Sequence, residues 1–162
     1  MPRAAPFVHR NLPLLLLRAR EAVMQHRRPS LRAQGLSDQQ WRVLRVLAEH
    51  AGAGGLQTGR LAREAHLLGP SLTGVLARMA RDGWVTRERC AHDARRSVVS
   101  ITAEGLALVG ALAGGIEAQY DELERHLGRA RLTQLYGLLD ELIALHESDD
   151  EDAALELMET AA

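Results

Sequence analysis

The residues best suited to chemistry in this chain form two short constellations. The first is Ser71, Thr73, Gly74 and Arg78 within the run PSLTGVLARMAR, and the second is Asp93, Arg95 and Arg96 within AHDARRS. Hydroxyls, a glycine and guanidinium groups are donors and close-approach positions rather than nucleophiles or general bases. They suit recognition of a polyanion such as DNA, because they can donate to phosphate oxygens and base edges. An enzyme signature is missing: there is no His-Glu-x-x-His, no Gly-x-Ser-x-Gly and no phosphate loop, and Gly52-Ala53-Gly54 lacks the third glycine of a dinucleotide turn. Cys90, His92 and Asp93 could be drawn as metal ligands, but a Cys-x-His on a hairpin is a weak signal without a fourth ligand. Neither a metal nor a cofactor is expected.

Composition sharpens this reading. The chain has 162 residues, 46% hydrophobic and 25% charged, the balance of one globular domain with its own core. No apolar run approaches the roughly 20 residues that span a bilayer, and Leu14 to Leu17 is a short leucine tract between Pro13 and Arg18. Without a signal-peptide pattern either, the expected location is the cytoplasm, with no membrane partner. The single cysteine, Cys90, can form neither an internal disulfide nor a Cys-x-x-Cys pair. All 20 cations are arginine, which removes the lysine of Schiff bases and of phosphate loops. Charge divides unevenly: residues 1–100 hold 17 arginines against 7 acids, and residues 101–162 hold 3 against 14. Such asymmetry points to a basic face for a polyanion and an acidic end held away from it, the plain alternative being segregation by chance.

These side chains need elements to position them. Pro70 suits the first turn of a helix and Asp82-Gly83 its stop, giving a helix over residues 70–81. On a wheel of about 100° per residue, Leu72, Val75, Leu76 and Met79 share the inward face, leaving Ser71, Thr73, Gly74, Arg78 and Arg81 to face a partner. Extended segments follow at 84–87 and 97–101, joined by the tip 91–96, so a two-stranded hairpin is expected. Upstream, Ser37-Asp38-Gln39-Gln40 reads as a capping box that opens a helix with Trp41, Leu44, Leu47 and Ala48 inward, and a short helix follows Thr58 to about His66. A first helix is expected from Leu12 to about Arg28, interrupted or kinked by Pro29. Thr102 should cap a long helix carrying Val109, Leu112, Ile116, Leu123 and Leu127, with bending at Gly110, Gly114 and Gly115. Gly128 should break it before a last helix from about Arg131. The stretch from Glu147 onward holds seven acids and no cation, as in a solvated tail with at most a weak helix at 153–158.

The fold class is therefore mainly α with a small β-wing: a winged helix-turn-helix over about residues 37–102, flanked by helices at about 10–33 and 103–146. The flanking apolar stripes exceed the needs of one small domain, which favours a helical homodimer. The segments GPSLTGVLARMARDGWV and DARRSVVSITAEG resemble the MarR family of dimeric transcription regulators. REAVMQHRRPSLRAQGLSDQQWRVLRVL with GPSLTGVLAR is similar to its branch of homoprotocatechuate- and nicotinate-degradation repressors. The likeness covers about residues 10–146 and leaves out the acidic tail at 147–162. Gly69 departs from it, standing where a basic residue is common.

The resemblance implies that residues 70–81 enter the major groove while Asp93, Arg95 and Arg96 work at the adjacent minor groove, with Asp93 holding Arg95 extended. Recognition helices of a dimer would lie about one DNA turn, roughly 34 Å, apart on a palindromic operator. It also implies release by a small aromatic or pyridine carboxylic acid. For that effector Arg18 and Arg20 offer carboxylate contacts, Trp41 an aromatic wall, and His9, His26 and Ser30 hydrogen bonds. The arginines could equally form salt bridges, and Trp41 could belong to the core. Redox sensing is disfavoured because Cys90 sits at the wing rather than near the first helix. The remaining rival is a winged module used only for protein contacts, without DNA binding.

Overall fold

The computed structural model describes the backbone of residues 7–90 and 93–159, and the side chains of residues 7–88 and 97–145. Its elements are α1 (Leu12–Ala33), α2 (Asp38–Glu49), β1 (Leu56–Gln57), α3 (Thr58–Glu64), α4 (Gly69–Arg81), β2 (Val85–Cys90), β3 (Asp93–Ile101), α5 (Ala103–Leu127) and α6 (Arg129–Glu159). Two compact units divide the chain, Met1–Ile116 and Glu117–Ala162.

In the first unit, α1 opens where the Asn11 side chain accepts from the Leu14 amide at 3.1 Å. Of the two outcomes expected at Pro29, interruption does not occur, and the helix continues to Ala33. An internal proline costs about 3 kcal/mol. Burying a leucine returns about 1.5–3 kcal/mol, and Leu31, two residues later, is only 1% exposed. The Leu36 amide then closes the helix onto the Leu31 carbonyl at 2.9 Å. The expected capping box is present: Ser37 Oγ accepts from the Gln40 amide at 3.2 Å, and Gln40 Oε1 accepts from the Ser37 amide at 2.9 Å. Trp41, Leu44 and Leu47 are buried as the spacing predicts, Val43 joins them, and Ala48 is half-buried.

The sheet has three antiparallel strands in the order β1-β3-β2, so the expected hairpin gains a strand at its inner edge. Leu56 pairs with Val99, and Gln57 with Val98. Gly55 makes this approach possible: its φ is +92°, and a Cβ there would stand 2.8 Å from a Val98 methyl and 2.7 Å from the Val99 carbonyl. The hairpin is also longer than expected, pairing Val85 with Ile101 through to Arg89 with Ser97. Leu61, Leu72, Val75, Leu76, Met79, Val85 and Val99 are all at most 3% exposed and form the core beneath it. At the close of α4 the chain turns through Gly83 at φ +77°, which lets the Trp84 amide reach the Met79 carbonyl at 2.9 Å. Thr102 Oγ1 accepts from the Gly105 amide at 3.0 Å, opening α5, and donates to the Gly83 carbonyl at 2.7 Å.

Helix α5 runs unbroken through Gly110, Gly114 and Gly115. The second unit begins within it, and Gly128 at φ +85° separates it from α6. Helix α6 starts at Arg129 and its backbone stays helical past the expected boundary at residue 146 to Glu159, so the acidic stretch continues the helix. Leu132 is buried, whereas Leu135, Tyr136, Leu138, Leu142, Ile143 and Leu145 are exposed. Among the described residues no helix is long and apolar enough to cross a membrane.

Candidate nucleic-acid interface

Helix α4 sorts its residues as the wheel predicts. Leu72, Val75, Leu76 and Met79 are at most 1% exposed, while Ser71, Thr73, Gly74, Arg78 and Arg81 are exposed. The two sets follow from the 3.6-residue period, and the burial of four large apolar side chains fixes which face looks outward. The Arg78 side chain makes no hydrogen bond or ion pair among the described residues, while Arg81 lies 3.7 Å from Asp82, both exposed. Thr73 differs from expectation in one respect: its hydroxyl donates back to the Gly69 carbonyl at 3.1 Å. A phosphate accepts but cannot donate, so Thr73 must turn its proton away from Gly69 to bind one.

Gly74 carries a separate message. A Cβ at this position would meet nothing within 4 Å, and its φ is not positive. Neither the turn of the backbone nor the packing of the chain requires glycine here, although glycine in an exposed helix costs roughly 0.8–1.0 kcal/mol relative to alanine. The same open space surrounds Gly59, Gly69, Gly110, Gly114, Gly115 and Gly137, and at Gly74 it leaves the outward face of α4 without a side chain.

Beside α4, α3 carries one acid, Glu64, and that charge is compensated. Glu64 accepts from Arg60 Nε at 2.6 Å and pairs with His50 Nε2 at 2.9 Å. The Arg60 hydrogen bond is the main reason its carboxyl is held below the usual range, partial burial opposes it, and His50 adds to the lowering. The wing is fastened at its root by Ser97, which is 5% exposed. Arg87 Nε donates to Ser97 Oγ at 3.0 Å, Ser97 and Thr58 hydroxyls meet at 2.6 Å, and Thr58 Oγ1 donates to the Ser97 carbonyl at 2.9 Å.

At the distal end the pairing shifts between Arg89 and Cys90, which pairs with Asp93, so Ala94, Arg95 and Arg96 fall between the two pairings. The side chains of Asp93, Arg95 and Arg96 lie outside the described residues, as do those of Cys90 and His92. Elsewhere no cluster of three metal-ligating side chains occurs among the described residues.

The six effector candidates are not brought together in this chain. His9, Arg18, Arg20, His26 and Ser30 are exposed on or before α1. Arg20 is not free for a carboxylate. Its side chain is 42% exposed and already engaged, by Glu21 at 2.9 Å and by Asp38. The buried arginine of α1 is Arg27, 8% exposed, which sequence reasoning missed because a cation reads as solvent-facing. Trp41 is 4% exposed and belongs to the core, with the Arg45 guanidinium 6.0 Å from its ring centroid. Arg45 was missed, although its i, i+4 spacing from Trp41 on α2 was a signal that could have found it. A cleft of about 470 Å3 at the α1–α2 junction is lined by Arg28, Leu31, Arg32, Gly35, Leu36, Ser37, Asp38 and Gln40, and none of the six candidates lines it.

Comparisons with known proteins bear on this geometry. Residues 34–96 match the model of the MarR family. The chain is 41% identical over 145 residues to the homoprotocatechuate degradative operon repressor of Escherichia coli, covering 90% of this chain and 96% of that protein. It is 38% identical over 140 residues to the HTH-type transcriptional regulator FarR of Neisseria gonorrhoeae, covering 86% and 94%. The crystal structure of NadR in complex with 4-hydroxyphenylacetate matches with a TM-score of 0.75 at 39% identity, covering 88% of this chain and 97% of that one.

Proposed function

Because the chain belongs to the MarR family, and so with transcriptional regulators rather than enzymes, we propose that it is a homodimeric repressor of an aromatic-acid degradation operon. The observation that carries DNA binding is the outward face of α4, where Ser71, Thr73, Gly74 and Arg78 stand exposed around a glycine the fold does not need. Helix α4 enters the major groove, and Asp93, Arg95 and Arg96 work at the neighbouring minor groove, where a narrow groove attracts guanidinium groups.

Dimerisation is supported by apolar surface left open on single elements. Leu12, Leu14, Leu16 and Leu17 on α1 and Leu135, Tyr136, Leu138, Leu142 and Ile143 on α6 are all more than a third exposed. With about half of each side chain still open, burial against a second copy contributes about 0.7–1.5 kcal/mol apiece. Two-fold symmetry then demands a palindromic operator with half-sites about one DNA turn apart.

The effector is a small aromatic acid of the homoprotocatechuate, hydroxyphenylacetate or nicotinate kind. The names of the E. coli repressor and of the NadR complex support this class, and the exposed guanidinium of Arg45 offers a cation for the carboxylate. The test is a mobility shift on DNA flanking the protein's own gene, repeated with a panel of hydroxylated phenylacetates, benzoates and nicotinates. Release of the shifted band by one compound is expected, and no shift at all would overturn the reading.

A further inference from the structure

The link between α3 and α4 contains the only non-glycine residue with positive φ among the described residues, His66 at +48°. A β-carbon in this region crowds the backbone, so the conformation persists only where its surroundings hold it. Local bonds account for part of that. The Ala65 amide donates to the Leu61 carbonyl at 2.9 Å, His66 to Arg63 at 3.0 Å, and Leu67 to Ala62 at 2.9 Å. These bonds satisfy the last turn of α3 but leave the carbonyls of Ala65 and His66 themselves. Both are taken by one side chain from another helix: Arg42 Nη1, reaching from the middle of α2, donates to Ala65 O at 2.9 Å and to His66 O at 3.0 Å.

The placement is costly to the arginine. Its Nε is buried and has no hydrogen-bond partner among the described residues, an arrangement that packing alone would not favour. The return is a cation set against carbonyls at a helix C-terminus, where the backbone's partial negative charge collects. Two residues beyond His66, Leu68 caps α4 and its carbonyl accepts from the Leu72 amide at 2.9 Å. The direction in which α4 leaves the turn is therefore fixed at one end by an arginine that is not on its outward face.

Resting on the reading that α4 enters DNA, we propose that Arg42 is a positioning residue for the recognition helix: it holds the strained His66 turn and so sets how α4 meets the groove, without touching the nucleic acid itself. Such a residue differs in a measurable way from one that binds phosphate. The slope of log affinity against log salt becomes shallower by about 0.9 for every phosphate that is no longer neutralised, whereas a misplaced helix loses affinity through poorer base recognition.

The experiment titrates the full-length dimer with operator DNA over a range of salt, for wild type, Arg42→Met, Arg42→Lys and His66→Gly, the last alone and combined with Arg42→Met. Arg42→Met keeps the stem and removes the donors; it is expected to weaken binding by about tenfold or more at an unchanged salt slope. Arg42→Lys, which retains a charged donor, should recover most of that loss. Glycine at 66 adopts positive φ freely, so the Arg42→Met defect should shrink in the His66→Gly background. Wild-type affinity in Arg42→Met overturns the inference, as does weaker binding with a shallower slope, which makes Arg42 a phosphate ligand. If Arg42→Met does not fold, Arg42→Gln, which keeps an amide donor but is too short to hold both carbonyls, decides in the same terms. Absence of binding by the wild type would instead sink the DNA reading beneath it.

Discussion

Thr58 and Ser97, 39 positions apart in the chain, share a hydroxyl-to-hydroxyl hydrogen bond of 2.6 Å. The protons can be assigned in one direction. Arg87 Nε donates to Ser97 Oγ, the Ser97 hydroxyl donates to Thr58 Oγ1, and the Thr58 hydroxyl donates to the Ser97 carbonyl. This chain of donors ties the first residue of α3, the helix that precedes α4, to the root of the wing.

Removing the Ser97 hydroxyl should therefore cost more than one bond. Ser97→Ala takes one bond from Thr58 Oγ1 and one from Arg87 Nε, although Thr58 still donates to the carbonyl of residue 97, and two lost bonds at roughly 0.5–1.5 kcal/mol each cost about 1–3 kcal/mol. Chemical denaturation is expected to show a loss in that range, while Ser97→Thr, if its methyl is accommodated, should retain most of the stability.

Gly74→Ala should separate folding from recognition. With open space around the site, the extra methyl is expected to stabilise the protein by about 0.5–1 kcal/mol. Operator affinity should nevertheless fall by about tenfold, equivalent to about 1.4 kcal/mol. Thermal melting and a mobility-shift titration on the same sample check both signs, and unchanged affinity would remove Gly74 from the interface.

At the wing, Arg95→Ala and Arg96→Ala are each expected to weaken operator binding by about 1.5–3 kcal/mol, the usual worth of a hydrogen bond to a charged group. Dimerisation, measured by sedimentation, should be untouched. Equal operator affinity in both variants would remove the wing from the DNA contact.

The Glu64 cluster predicts a pH dependence of stability. Its carboxyl is held below the ordinary value near 4.5, first by Arg60, so the folded protein keeps the proton off to lower pH than the unfolded chain does. The resulting stabilisation is complete above the unfolded value and fades as pH falls through the lowered folded one. Melting temperatures recorded from pH 6 downward should converge for wild type and Glu64→Gln in the acid range, and a constant gap across that range would contradict the assignment.

For the effector, Arg45→Ala is expected to weaken aromatic-acid binding by about tenfold, and Arg20→Ala by less, since Arg45 has one exposed partner, Glu49, whereas Arg20 holds both Glu21 and Asp38. Calorimetric titration of both variants compares them directly. A larger defect in Arg20→Ala would place the carboxylate on α1 instead.

Legibility in the sequence followed the strength of local periodicity. The α4 quartet and its exposed face could be read because apolar side chains at spacings of three and four must share one side, and the α2 start because Ser37 and Gln40 satisfy each other's amides. Strand β1 could not be seen: two residues, Leu56 and Gln57, carry no period, and their pairing depends on Val98 and Val99 far along the chain. The helical path through Pro29 was hidden for a related reason, since the burial that offsets the proline is tertiary. Arg42 and Arg27 were passed over because a cation on a helix signals water, and only the folded chain shows which one is enclosed. Of the interface, residue types and face were legible, whereas the engagement of the Thr73 hydroxyl by Gly69 was not.

One hydroxyl, that of Thr102, both receives the first free amide of α5 and gives its proton to the carbonyl just ahead of β2. A valine there would match its shape and silence both partners at once, while a serine would keep both. Substitution at this junction therefore cannot adjust the wing and the departing helix independently, because their alignment is written in a single oxygen atom.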